Sequence, residues 1–351
     1  MAQDTELTKF TALGLSGSGK SCYVLGLYAQ MSMGVEKFTI TAENDITREL
    51  EDKMDYLGYE KKGMDRFPSG TSLNECTDYR FTLYFQNNPI IEVSWLDYGG
   101  GILHDKGENS DVYNDLTKSI EESTALYIFI DGEKLCYHDF DEKKKKTAWY
   151  CSSKINPFIT YFANKHNHIL PPIIFVITKI DLCRSYIKDD NEIMMLVAKC
   201  FSSVFGEKTE NVYITATTLG KNISDNDYRG EADPNMHIPF FLGLYHEYGR
   251  QIQVIKEALQ EKIDSISSSS NTLHNEMQKE KNKWKLFRDE ERIERIQKEC
   301  QIHDERIKRY NQNFEKYQSK LQAVTNELLR NSGDFITIKN GQKITFNPEL
   351  I

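Results

Sequence analysis

No apolar run in this chain approaches the roughly 20 residues that cross a bilayer, and nothing at its start resembles a secretory signal. A cytoplasmic protein that does not engage a membrane is therefore expected. There is no CxxC pair among the seven cysteines (Cys22, Cys76, Cys136, Cys151, Cys183, Cys200 and Cys300), so neither a zinc ribbon nor a disulfide framework is signalled. A basic excess is missing too: 44 Lys and Arg face 53 Asp and Glu, a formal net charge of -9. Electrostatic attraction to nucleic acid is accordingly not expected as the main activity. Proline is absent between Pro239 and Pro348, which leaves about a hundred residues free of helix breakers. What is present is a 351-residue chain with 39% hydrophobic and 28% charged side chains, enough for one sizeable core and a solvated extension.

From Thr8 to Thr217 short apolar strands alternate with helical segments, the pattern of a mostly parallel sheet covered on both faces. KFTALG (Lys9 to Gly14) leads into a glycine loop, and SCYVLGLYAQM follows at helical spacing. YRFTLYFQ from Tyr79 and PIIEVSWLD from Pro89 read as antiparallel neighbours turning through Asn87, Asn88 and Pro89. ALYIFID, PIIFVITKID and NVYITAT supply three further buried strands. Beyond Pro239 the composition shifts to Glu, Lys, Arg and Gln. From Ile293 through Ile296, Cys300, His303, Ile307, Tyr310, Phe314, Tyr317, Leu321 and Val324 to Leu328, apolar positions recur at three- and four-residue steps. An earlier stripe runs through Ile252, Ile255, Leu259, Ile263 and Ile266. Ser267 to Ser270 then mark either a turn between antiparallel helices or a weak point in one long helix. Asn340-Gly341 reads as the turn of a closing hairpin. The expected organisation is a doubly wound α/β domain over 1–245, a helical coiled-coil extension over 246–332 and a small β-hairpin over 333–351.

Three stretches carry chemistry. GLSGSGKS, residues 14 to 21, fits G-x-x-x-x-G-K-[ST] between a strand and a helix. Backbone N–H groups there, from Gly14, Ser16, Gly17, Ser18 and Gly19 on to Cys22, can point inward at phosphate oxygens, which a Cβ would obstruct. Lys20 would neutralise the β- and γ-phosphates and the Ser21 hydroxyl would bind Mg²⁺. In WLDYGGG, Asp97 ends a strand where it can hold that Mg²⁺, and Gly100 leaves an N–H open to a γ-phosphate. In TKID (Thr178, Lys179, Ile180, Asp181) the carboxylate can accept from guanine N1–H and the 2-amino group, a donor pair that adenine lacks, while the Lys179 stem covers the base. ITAT, ending in Thr215, Ala216 and Thr217, would bring a backbone N–H to the guanine O6.

In that order on successive strands, GLSGSGKS, DYGG and TKID resemble the P-loop GTPases of the translation-factor and Ras-like class over about two-thirds of the chain. RFPSGTS (Arg66 to Ser72), after an amphipathic helix around Ile46, Leu50, Met54 and Leu57, is similar to bacterial double-GTPase proteins from conflict and defence gene clusters. The resemblance implies a Ras-like P-loop fold that binds GTP and GDP with Mg²⁺. It also implies hydrolysis of GTP and a switch threonine, with Thr71 as the candidate and Thr41 and Thr47 as competitors. The chain departs from the family where a water-positioning glutamine is usual, because Gly101 stands there. Hydrolysis is then slow, borrows a residue such as His104, or takes a group from a partner. The expected function is a nucleotide switch read out through residues 251–330, by a protein partner or by self-association. The alternative is a coiled-coil assembly protein for which nucleotide is a folding cofactor.

Overall fold

A computed structural model describes residues 7–55, 67, 76–103, 111–136, 148–206, 211–220, 235–283 and 289–348. Thr71 and His104 lie outside the described residues. The chain divides into two units, one of Met1–Glu247 with Asn326–Ile351 and the other of Tyr248–Thr325.

In the first unit, β1 (Thr8–Leu13), β4 (Asn88–Tyr98), β5 (Ala125–Asp131), β6 (Ile173–Thr178) and β7 (Val212–Ala216) run parallel as neighbours. Their sheet has nine strands in the order β2-β3-β4-β1-β5-β6-β7-β8-β9. β3 (Cys76–Phe85) joins β4 through a turn at Gln86 and Asn87, one residue earlier than the sequence suggests, both in the left-handed conformation that two-residue hairpins need. Outside β3 lies β2 (Phe38–Ala42), a short edge strand that the sequence pattern does not announce. At the other edge, β8 (Phe335–Lys339) and β9 (Gln342–Ile344) turn at Asn340-Gly341, as their sequence indicates. The hairpin expected as a separate terminal piece is thus part of the sheet, because β8 pairs antiparallel with β7 along Val212–Thr215.

β5 and β6 are buried along their whole length, since both sheet faces are covered. On one face Leu126, Ile128 and Ile130 join Leu116 and Ile120 of α3 (Asp111–Glu121), Ile155, Phe158 and Ile159 of α5 (Ala148–Lys165) and Val197 of α7 (Asp190–Cys200). The short helices α4 (Gly132–Leu135) and α6 (Ile180–Arg184) follow β5 and β6. On the opposite face an aromatic core forms: Tyr23 of α1 (Lys20–Met33) packs on Trp95 and Phe129, and Phe10 on Trp95, Tyr127 and Phe240. Phe240 belongs to the start of α8 (His237–Lys281), whose residues through Glu247 are all buried. A further helix, α2 (Asn44–Asp55), lies between β2 and β3 in the chain.

In the second unit, α8 runs on without a break through Ser267–Ser270, so the serine run is not a turn but lies within one long helix. The chain turns back beyond Lys281 into α9 (Glu290–Arg330). Met277, Ile293 and Ile296 form a buried cluster with Leu273 and Cys300 beside it; Arg292 pairs with Glu276 at 3.3 Å, and Lys262 lies 5.6 Å from the Tyr310 ring centre. Partners whose numbers sum to a near-constant value identify an antiparallel helical hairpin. The apolar seam read from the sequence is thus packed from within the same chain at its Ile293, Ile296 and Cys300 end.

Candidate functional site

The carboxyl ends of β1, β4, β5, β6 and β7 share one side of the sheet, and β1 is where the strand order reverses, with β4 on one flank and β5 on the other. Open parallel sheets place ligand sites in that crevice. The glycine loop occupies it. Gly17 and Gly19 have φ of 76° and 88°, values open to glycine at no steric cost, and Ser18 N–H closes the turn on the Leu15 carbonyl at 3.1 Å. Ser16 and Gly17 stand exposed at the crest, and Ser18 and Lys20 are buried. The loop delivers the chain into the first turn of α1, so unpaired N–H groups and the positive end of the helix face the same side.

Lys20 Nζ donates to the Gly14 carbonyl at 2.9 Å. Burial lowers the pKa of its ammonium, with Asp97 acting in the opposite sense. Ser21 Oγ donates to Asp97 Oδ2 at 2.6 Å. Asp97 is 2% exposed and its Oδ1 has no hydrogen-bond partner among the described residues. Burial pushes this carboxyl above the ordinary carboxylate range, against the pull of Lys20, the Ser21 bond and Lys53 of α2. A buried, partly unpaired carboxylate beside a hydroxyl suits a hard divalent cation. Among the described residues no group of three or more His, Cys, Asp and Glu could hold a metal by itself. The pair therefore fits Mg²⁺, which keeps waters and shares phosphate oxygens, better than an ion caged wholly by protein. Gly100 presses on the loop: a Cβ there would lie 2.3 Å from Ser16 N. Gly101 follows in the same 3-10 turn, Gly100–Leu103.

The TKID stretch straps the loop from the other side. Thr178 Oγ1 donates to the Ser18 carbonyl at 2.8 Å. Lys179, left-handed at φ 51°, donates from Nζ to Asp131 Oδ2 at 2.7 Å and to the Gly17 carbonyl at 3.2 Å. Asp181 Oδ1 accepts from Thr218 Oγ1 at 2.9 Å. The ITAT expectation, a backbone N–H for the guanine O6, needs correction at Thr217, whose N–H donates to the Ile177 carbonyl at 2.8 Å. The Thr215 side chain is buried, its hydroxyl donating to the Phe175 carbonyl at 3.1 Å. Ala216, at the end of β7, keeps its place beside them, partly exposed. Cys22 sits in the first turn of α1, its thiol pushed up to about 11 by burial, which makes it a packing group rather than a nucleophile. Of the threonine competitors, Thr41 is a ladder residue of the edge strand opposite Thr82, and the Thr47 hydroxyl donates to the Ala42 carbonyl at 3.0 Å.

Three residues at the site escaped the sequence reading. Asp131 ends β5, caps α4 by accepting from Glu133 N–H at 3.1 Å, and binds Lys134 at 3.1 Å besides Lys179. The strand-end carboxylate of IFID was its only signal. Tyr98 accepts from Gly14 N–H at 2.9 Å, and Thr218 holds Asp181; they stand within WLDYGGG and just after ITAT, at positions for which the motifs ask no particular residue. No protein-family model matches this chain, and no curated protein matches it.

Proposed function

We propose that the chain is a Mg²⁺-dependent guanine-nucleotide-binding switch of the Ras-like P-loop kind that hydrolyses GTP. The observation that carries this reading is the convergence, at the carboxyl ends of β1, β4 and β6, of a glycine loop with Lys20, a Ser21–Asp97 pair and the TKID strap. The order of strands around β1, with an antiparallel strand beyond β4, supports it. In this reading the loop N–H groups other than those of Gly14 and Ser18, which are held by the Tyr98 hydroxyl and the Leu15 carbonyl and so correct the expectation for Gly14, bind the phosphates, and the Lys20 ammonium balances charge on the β- and γ-phosphates. Ser21 and Asp97 would hold Mg²⁺, which supplies charge neutralisation between the same two phosphates. Asp181 accepts from the guanine edge, and the Lys179 stem lies along the base.

Hydrolysis adds water to the γ-phosphorus and breaks its bond to the β–γ bridging oxygen. Gly100 N–H can stabilise the charge that develops there. Gly101 offers no side chain to orient the water, so hydrolysis is slow, borrows a residue such as His104, or takes the group from a partner protein, with Thr71 as the switch threonine that binds Mg²⁺. The helical hairpin is the element through which a partner reads the nucleotide state. One observation, the bare Gly101, also favours the structural alternative in which nucleotide only supports folding. Phosphate release at the uncatalysed background rate, with nucleotide retained, would select that alternative.

Titration of GTP, GDP and ATP, each with Mg²⁺, against the parent chain and Lys20→Ala tests the reading. GTP should bind far more tightly than ATP. Loss of the Lys20 contact, at about 1.5–3 kcal/mol, should weaken GTP roughly ten- to hundredfold. Equal affinity for GTP and ATP, or an unaffected Lys20→Ala, would overturn it.

A further inference from the structure

Tyr98, next to Asp97 and fully buried, makes two contacts with the glycine loop. Its hydroxyl takes the N–H of Gly14, the first residue of the loop, at 2.9 Å. The face of its ring lies under the Lys20 ammonium, 4.9 Å from Nζ to the ring centre. Lys20 in turn donates to the carbonyl of that same Gly14 at 2.9 Å. The three residues close a cycle in which Tyr98 holds the Gly14 N–H and faces the Lys20 ammonium, and Lys20 holds the Gly14 carbonyl. Gly14 has no slack, since a Cβ on it would lie 2.5 Å from Ser18 Oγ and 3.0 Å from the Phe129 Cβ.

Resting on the guanine-nucleotide reading, we propose that Tyr98 is a positioning residue for phosphate recognition: its hydroxyl sets the start of the loop and its ring sets the seat of Lys20. The two halves have separate consequences. With Gly14 N–H turned into the core, the loop enters its turn from a fixed direction, which orients the later N–H groups for any nucleotide. A π face beneath a desolvated ammonium favours its charged form and restricts where it can sit. That matters most for the terminal phosphate, which a triphosphate has and a diphosphate lacks.

Tyr98→Phe removes the hydroxyl alone, and Tyr98→Leu removes the ring as well. With Mg²⁺ present, Tyr98→Phe should bind GTP and GDP about three- to tenfold more weakly and to the same degree, because an N–H left unpaired loosens the loop that both share. Tyr98→Leu should in addition lower the ratio of GTP to GDP affinity, by at least about threefold, the scale of a cation–π contact of ~0.7 kcal/mol or more. A residue serving the core alone would lower the melting temperature and leave both affinities and their ratio unchanged at temperatures where the variants are folded. That result would overturn the proposal, and Tyr98→Phe can deliver it even where Tyr98→Leu fails to fold. Lys20→Ala, measured in parallel, separates the two levels. If it loses triphosphate binding while the Tyr98 variants do not, the Tyr98 assignment alone falls. If it binds like the parent, the nucleotide reading falls and takes Tyr98 with it.

Discussion

Asp131 offers the most direct test of how the base side of the site is built. It is 5% exposed, accepts from Glu133 N–H as the cap of α4, and pairs with Lys179 at 2.7 Å and Lys134 at 3.1 Å. Asp131→Asn keeps a capping oxygen and removes the charge; Asp131→Ala removes both. The two lysine side chains are 41% and 31% exposed, so their attraction is screened and together they contribute only about 1 kcal/mol. The cap adds roughly 1 kcal/mol more. At roughly 2–4 °C per kcal/mol for a domain of this size, Asp131→Asn should melt ~2–4 °C and Asp131→Ala ~4–8 °C below the parent at pH 7. Burial alone would raise the Asp131 pKa, but Lys179 and Lys134 more than offset it and the net shift is downward. A depressed carboxylate contributes stability that is whole above its unfolded value of about 3.9 and is lost as pH falls through the folded value. The gap between parent and Asp131→Asn should therefore close as pH falls from about 5 to below the folded pKa. Thermal melts by circular dichroism across that range read both effects. An Asp131→Ala protein that melts with the parent at pH 7, or a gap to Asp131→Asn that widens in acid, would refute the reasoning.

Two further outcomes follow from the geometry. On the proposed guanine reading, Asp181→Asn should bind GTP about ten- to hundredfold more weakly, because the carboxylate that would accept both guanine donors is lost; it should gain affinity for xanthosine triphosphate, and a variant unchanged toward both would remove TKID from the proposed base site. Ile307→Asp with Phe314→Asp places charges in the seam whose Ile293–Cys300 end packs on α8; if that pairing continues along the helix, the hairpin should lose ellipticity and become open to protease while the sedimenting mass stays constant. A fall in mass on mutation would instead locate the seam between chains.

The parallel strands and the glycine loop were legible because their signals are local. ALYIFID and IIFVIT are apolar along their whole length since both faces of those strands are covered, and the loop needs glycine where φ is positive. The helical hairpin was legible as a period, but not as a fold. A seam stepping by three and four looks the same whether its partner is another chain or the helix before it, and only in three dimensions do Leu273 and Met277 stand against Ile293, Ile296 and Cys300 at its start. The serine run left a turn and one long helix both open for a related reason. Serine has a middling helix propensity, so the half-buried neighbours Ile263, Ile266 and Leu273 decide, and the helix continues across it. β2 was missed because five residues at an edge, paired on one side and half exposed, show neither a full apolar run nor a clean alternation.

The residues that touch a ligand and the residues that hold those residues differ in how they can be read. A glycine, lysine and serine at fixed spacing announce a phosphate loop because the backbone and charge requirements are written in consecutive positions. Tyr98 and Asp131 serve the same loop from strands that meet it only after folding, one through the Gly14 N–H and the other through Lys179. In sequence each is one more residue at the end of an apolar strand, where a tyrosine reads as core and an aspartate as the start of a turn. What marks them in the structure is a polar atom, nearly removed from water, spent on a partner more than 40 residues away. Burying such an atom is costly unless it is paired. A distant pair of this kind is therefore where a search for further supports of the site should begin, and Thr178 with the Ser18 carbonyl, 160 residues apart and buried, meets the same test.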